Sequence, residues 1–203
     1  MGTVRKSERK FIVFTSLVGV LTLTCALLLA LAPAPLVDDG SRPLFAIDST
    51  SSLDDIWATD KPVRAEQWKY IYIHHTKTTG GSAATLGQRT GGLGDHFLIG
   101  NGSGTFRDGE VQCSRRWINQ LPALPPTGAA EIDPACISIS VVGDFDAGLP
   151  TADQMRNLTR LVTLLQDRLK IPADQVLLAR DSKTAAGSGQ FFPIAAFRLS
   201  LLP

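Results

Sequence analysis

The sequence predicts an α/β domain from about Trp68 to the C-terminus, carried behind one membrane-spanning helix. Three stretches predict it. In CISISVVGDF, Ile137, Ile139 and Val141 alternate with Ser138 and Ser140 before the run turns continuously apolar at Val141-Val142, the pattern of a central strand. In TADQMRNLTRLVTLLQDRLKIP, Leu158, Leu161, Val162, Leu165 and Leu169 recur at helical spacing behind a Thr151/Gln154 capping box, and Pro172 closes the run. Near the N-terminus, FIVFTSLVGVLTLTCALLLALA, Phe11 to Ala32, holds no charged residue. As a helix it is long enough to cross a hydrocarbon layer of about 30 Å.

Each segment follows from its local chemistry. Residues 1–10 form a basic cytoplasmic tail in which Arg5, Lys6, Arg9 and Lys10 outweigh Glu8. The excess of positive charge keeps that end in the cytoplasm and sends everything after Ala32 across the membrane. A cleaved signal peptide is the competing reading, because Ala30-Leu31-Ala32 has the small-x-small form that signal peptidases accept. Against it stand Pro33 at the first mature position and an apolar run longer than the usual core of about 7–15 residues. Residues 33–67 mix Pro, Asp, Ser and Thr without sustained periodicity and read as a flexible linker. WKYIYIHH then has the aromatic and β-branched content of a strand, and HFLIGNG is a short apolar run closed by a turn. The stripe of the long helix reads as core, and residues 68–203 make up the domain.

Hydrophobic residues make up 44% of the chain, which excludes a disordered protein. The formal net charge is +1, and the first ten residues carry +3 of it, leaving −2 on the remainder. A nearly neutral exported part has no electrostatic footprint for nucleic acid. Cys25 lies in the apolar run, whereas Cys113 and Cys136 lie beyond it, where a disulfide can persist. A Cys113–Cys136 bridge and two buried thiols are both compatible with the spacing, and the bridge is the expectation.

The motif richest in chemistry is YIYIHHTKTTGGSAA. His74 and His75 are adjacent on a strand, so they face opposite ways and one of them is structural. The order of motifs is HHT, GLGDHFLIGNG, DGEV, RRWINQ, ISISVVGDF, a capped helix, and ARDSKTAAGSGQFFP. It resembles the zinc-dependent N-acetylmuramoyl-L-alanine amidases and peptidoglycan recognition proteins over nearly all of Trp68 to Pro193. The resemblance implies a central mixed β-sheet flanked by helices. It also implies a zinc ion on three protein ligands, with water in the fourth position, cutting the bond between N-acetylmuramic acid and L-alanine.

Carried over by motif, the first zinc ligand falls on His74. The second falls on Ala179, before Arg180-Asp181, and the third on Gly187, in a register that brings Phe192-Pro193 onto the family's terminal FP without a gap. Two of the three ligand positions therefore lack a donor atom. Asp95 stands at the position of the family tyrosine that assists the oxyanion, and Ala130 and Ala185 replace two further family residues. The candidate cleft residues are His74, Thr76, Asp95, Arg116, Trp117 and Asp181. A rebuilt metal site would have to use His74, Asp95 and either His96 or Asp181. The bland readings are packed or hydrogen-bonded rings for His75 and His96, core for Trp117, and solvated side chains for Arg115 and Arg116.

The resulting expectation is a single-pass bacterial inner-membrane protein whose C-terminal domain sits in the periplasm. That domain has the amidase fold without zinc or another cofactor, and serves as a peptidoglycan-binding or interaction module whose partners are peptidoglycan or its stem peptides, with the inner membrane held through residues 11–32. The alternatives are an active zinc amidase of peptidoglycan turnover and an interaction module with no wall ligand.

Overall fold

The computed structural model describes residues 13–24, 42–44, 54–88, 92–104, 106–125, 133–178 and 189–201. Met1–Val37 and Asp38–Pro203 form two compact units. In the first, residues 13–24 are helical (α1), and Val13, Phe14, Leu17, Val20, Leu21 and Leu23 are all exposed. Three hydroxyls of α1 are satisfied within it: Ser16 donates to the Val13 carbonyl, Thr22 to Val18 and Gly19, and Thr24 to Val20 and Leu21. Among the described residues no helix is long and apolar enough to cross a membrane. The rest of the expected span, residues 11–12 and 25–32, lies outside the described residues.

The second unit is built on a six-stranded mixed sheet. Its strands are β1 (Arg42–Leu44), β2 (Tyr70–His75), β3 (Phe97–Asn101), β4 (Asp108–Cys113), β5 (Cys136–Val141) and β6 (Val176–Leu178), in the order β1-β4-β3-β5-β2-β6. β3, β5, β2 and β6 run parallel, while β4 is antiparallel to both β3 and β1. The helices are α2 (Ala83–Gly87), α3 (Arg115–Ile118), α4 (Ala152–Leu169) and α5 (Ile194–Ser200). α4 carries the expected capping box, with the Thr151 side chain accepting from the Gln154 N–H and Gln154 Oε1 accepting from the Thr151 N–H.

Alternation along the strands divides the sheet into two chemically different faces. Ile71 and Ile73 of β2, Ile137, Ile139 and Val141 of β5, and Phe97 and Ile99 of β3 share one face, which packs with Leu158, Leu161, Val162, Leu165 and Leu169 of α4 in the main core. Tyr72, His74, Cys136, Ser138 and Ser140 share the other. Every residue of β5 is buried, so its serines are held in the interior as firmly as its isoleucines.

Two expectations need correction. The segment expected as a flexible linker over 33–67 contains parts of the folded unit. β1 pairs with β4 from Arg42 to Leu44, Ile56 is 1% exposed in the main core, and Trp57 packs edge-on to Trp117. Trp117 Nε1–H donates to the Ile56 carbonyl at 2.6 Å. Isolated apolar residues are enough to dock an irregular segment when the sheet supplies the receiving surface, and they leave no periodic trace.

The Cys113–Cys136 disulfide is also absent, and both residues are buried thiols. β3 lies between their strands. The register places Cys113 opposite Phe97 and Phe97 opposite Ile139, so Cys113 shares the face of Ile139 while Cys136 lies on the other. Two strand spacings of about 4.8 Å, with side chains on opposite faces, exceed the reach of a disulfide.

Candidate functional site

The polar centre of the unit lies on the Tyr72/Ser138 face, around β2 and β5. β2 presents His74 beside Ser140, and Asp95, just before β3, reaches over β5 to meet it. His74 Nε2 donates to Asp95 Oδ1 at 2.8 Å, and the Ser138 hydroxyl donates to the same oxygen. Burial opposes the charge on Asp95, but the His74 charge and the hydrogen bonds from His74 and Ser138 outweigh it and hold the carboxyl below its ordinary pKa. Burial likewise opposes protonation of His74. There the Asp95 charge and the bonds to Asp95 and the His75 carbonyl prevail and raise the imidazole above its ordinary value.

The hydrogen-bond partners of both ring nitrogens account for that direction. Nδ1 lies 3.2 Å from the His75 carbonyl oxygen and Nε2 lies 2.8 Å from the Asp95 carboxylate. Both partners only accept, so both ring nitrogens carry hydrogen and His74 is an imidazolium ion. A metal ligand needs a ring nitrogen with an unshared electron pair. His74 has none in this arrangement, and Asp95 already accepts from both His74 and Ser138. Among the described residues His74 and Asp95 thus form a buried ion pair.

The remaining sequence candidates separate. His96 is fully buried. Its Nδ1 accepts from the Ser138 backbone N–H at 3.0 Å and its Nε2–H donates to the Leu121 carbonyl at 2.8 Å, a neutral tautomer. Burial pushes its pKa down to about 4, against the opposing pull of the Leu121 carbonyl. It joins β3 to β5 and offers nothing to a rebuilt metal site. Trp117 is fully buried, 5.0 Å from the Phe97 ring, so it is core and presents no face to a cleft. Thr76 Oγ1 accepts from the Gly143 N–H and contacts Thr78, which closes the turn after β2. Arg116 is half-buried and donates from Nη1 to the Pro122 carbonyl. Ala179, Asp181 and Gly187 lie outside the described residues.

His75 belongs to a second cluster on the opposite face, which sequence reasoning treated as packing alone. Its ring stacks on Phe145 at 5.5 Å, and two aspartates flank it, Asp144 and Asp146. The D-x-D of VVGDFDAG was the one available signal. The terminal segment docks on this same loop: Phe191 N–H donates to the Phe145 carbonyl and Gln190 N–H to Asp146 Oδ1. At Gly189, with φ of +88°, an added Cβ would collide with the Phe145 backbone.

The class is thus an α/β domain with a mixed sheet and a histidine-centred polar site on one face of its parallel strands. The family model for N-acetylmuramoyl-L-alanine amidase matches residues 64–188, and the chain belongs to that family. No curated protein matches the chain. Similar solved structures include the N-acetylmuramoyl-L-alanine amidase LysC from Clostridium intestinale URNW, at 19% identity and a TM-score of 0.44 over 70% of this chain and 90% of that one. PGRP-Hd from Alvinella pompejana is similar at 18% identity and a TM-score of 0.43, with the same coverage. The Ph2119 endolysin from Thermus scotoductus MAT2119 bacteriophage Ph2119 is similar at 17% identity and a TM-score of 0.41, over 67% and 86%.

Proposed function

We propose that this chain is a membrane-anchored amidase-fold module of the bacterial cell envelope that recognises peptidoglycan or its stem peptides in the periplasm without hydrolysing them. The observation that carries the reading is the double commitment of His74, which gives one ring N–H to Asp95 and the other to the His75 carbonyl. Lewis-acid polarisation and water activation in this fold both need a metal held on that imidazole. The alanine and glycine aligned with the other two ligand positions point the same way. Anchoring is supported by the uncharged run from Phe11 to Ala32 behind the basic tail, and by the Ser16, Thr22 and Thr24 hydroxyls satisfied within α1.

The test uses the full chain purified in detergent, assayed for bound zinc, for release of L-alanine-bearing stem peptides from cell walls, and for co-sedimentation with sacculi. Sedimentation with little zinc and no release is the expected result. Stoichiometric zinc with chelator-sensitive release that disappears in His74→Ala would return the protein to the hydrolases. Failure to sediment would remove the wall ligand.

A further inference from the structure

The His75 cluster does not take part in the His74 site and lies on the other face of β2. The His75 side chain is 0% exposed. Its Nδ1 accepts from the Phe145 backbone N–H at 2.8 Å, which places the ring hydrogen on Nε2. That buried N–H has no hydrogen-bond partner. Asp146 Oδ2 lies 3.9 Å from it, and Asp144 Oδ1 lies 3.9 Å from Nδ1. A buried donor without an acceptor is costly and is rare in native structures. Here it faces a carboxylate just beyond hydrogen-bond range.

The group as a whole has the dimensions of a cation site. One ligand atom from each of His75, Asp144 and Asp146 falls within 4.8 Å of the others. Two metal–oxygen bonds of about 2.3–2.6 Å, the calcium range, span that separation. Zinc is disfavoured by chemistry, because the one nitrogen facing the gap carries hydrogen and no thiolate is present in the group. The carboxylates are 38% and 53% exposed, which leaves their solvent side open to the water ligands that a hard cation keeps. Asp146 is also held in place, its Oδ1 accepting from the Gln190 N–H and its backbone carbonyl from Gln190 Nε2.

We propose that Asp144 and Asp146 bind a hard divalent cation of the calcium class through their carboxylates, with the buried His75 Nε2–H donating to the ligating Asp146 carboxylate. The cation neutralises the two adjacent charges. The hydrogen bond from His75 gives the orphaned donor its acceptor and orients the ligand, the usual outer partner of a metal-bound carboxylate. Because Gln190 is tied to Asp146, binding also clamps the Gly189–Pro193 segment onto the loop after β5.

The full chain, stripped with chelator and kept in detergent, is titrated with calcium chloride while its thermal unfolding and its histidine ring NMR signals are followed. A dissociation constant of about 10⁻⁴–10⁻³ M is expected for two carboxylates completed by water. Saturation should raise the unfolding midpoint and shift the His75 ring signals. Asp144→Asn and Asp146→Asn should each weaken binding at least about tenfold, the loss of about 1.4 kcal/mol expected when one charged ligand is neutralised. In Asp146→Asn the amide oxygen still accepts from Gln190, so that variant is expected to fold. His75 signals that stay unmoved in saturating calcium would overturn the proposal without recourse to any variant. Asparagine variants that bind calcium as well as the parent would also overturn it, as would tight binding of zinc chloride with refusal of calcium.

Discussion

Replacing Asp95 by alanine tests the site where it is most decisive. The side chains of His74 and Asp95 are only 6% and 13% exposed, so their 2.8 Å contact is poorly screened by water. Removing one partner of such a pair leaves a buried charge and costs about 3–5 kcal/mol, and the Ser138 hydroxyl loses its acceptor for about 1 kcal/mol more. His74 can relieve part of this by releasing its proton, so about 3 kcal/mol is the expected loss at mildly acid pH. For a domain of this size that lowers the unfolding midpoint by roughly 6–12 °C.

The loss depends on pH with a definite sign. His74 is raised in the folded state, so its contribution is complete below its unfolded value of about 6.5 and disappears as pH rises through the folded value. Asp95 is lowered, so its contribution is present above about 3.9 and disappears as pH falls through its folded value. Parent and variant should differ most between those limits and converge outside them. Thermal unfolding by circular dichroism across that range, with the His74 ring nitrogens followed by NMR, gives both readings. In the variant, burial without a counter-charge should leave His74 neutral at pH 7. Equal midpoints at about pH 5.5, with His74 still doubly protonated in Asp95→Ala, would refute the ion-pair reading and with it the argument against zinc.

Three further outcomes are expected. His96 is lowered to about 4, so stability should fall as pH drops from about 6.5 toward that value, and an acid limb that persists unchanged in His96→Leu would assign it elsewhere. Gly189→Ala should destabilise by about 2 kcal/mol or more, because φ of +88° and contact with the Phe145 backbone leave no room for a Cβ; denaturant unfolding measures it. Cys113 and Cys136 should both react with a thiol reagent in denatured, unreduced protein. In the native state Cys136, whose thiol burial pushes up to about 12, should stay inert.

Much of the scaffold was legible because its signals are local. The Ile/Ser alternation of β5, the leucine stripe and capping box of α4, and the strand ending in His74-His75 are written within a few residues of one another, at the periods that backbone geometry imposes. The same alternation implied that His74 and His75 face opposite ways, as the register of β2 on β5 has it, whereas Asp95 and His96 lie in a bend before β3, where strand alternation does not apply. Asp95 was legible as the residue at the family tyrosine position, and as a possible ligand in a rebuilt site. That it would instead cap the His74 ring was not, because the two are 21 residues apart and meet only where β3, β5 and β2 lie side by side.

The other surprises have the same origin. Ile56 and Trp57 have no periodic partners in sequence, and only the assembled core gives them a place to pack. Cys113 and Cys136 look bridgeable until the strand order inserts β3 between them. His75, Asp144 and Asp146 form a group only because the loop after β5 folds back over the end of β2. Sequence alone determined β5, α4 and the strand ending in His74-His75, since each is a property of residue type and near-neighbour spacing, and the order of its motifs carried the resemblance to the family that residues 64–188 match. Tertiary structure alone decided what the surviving histidine does with its two nitrogens, because a hydrogen bond depends on angstrom-scale approach between groups that the chain itself holds far apart.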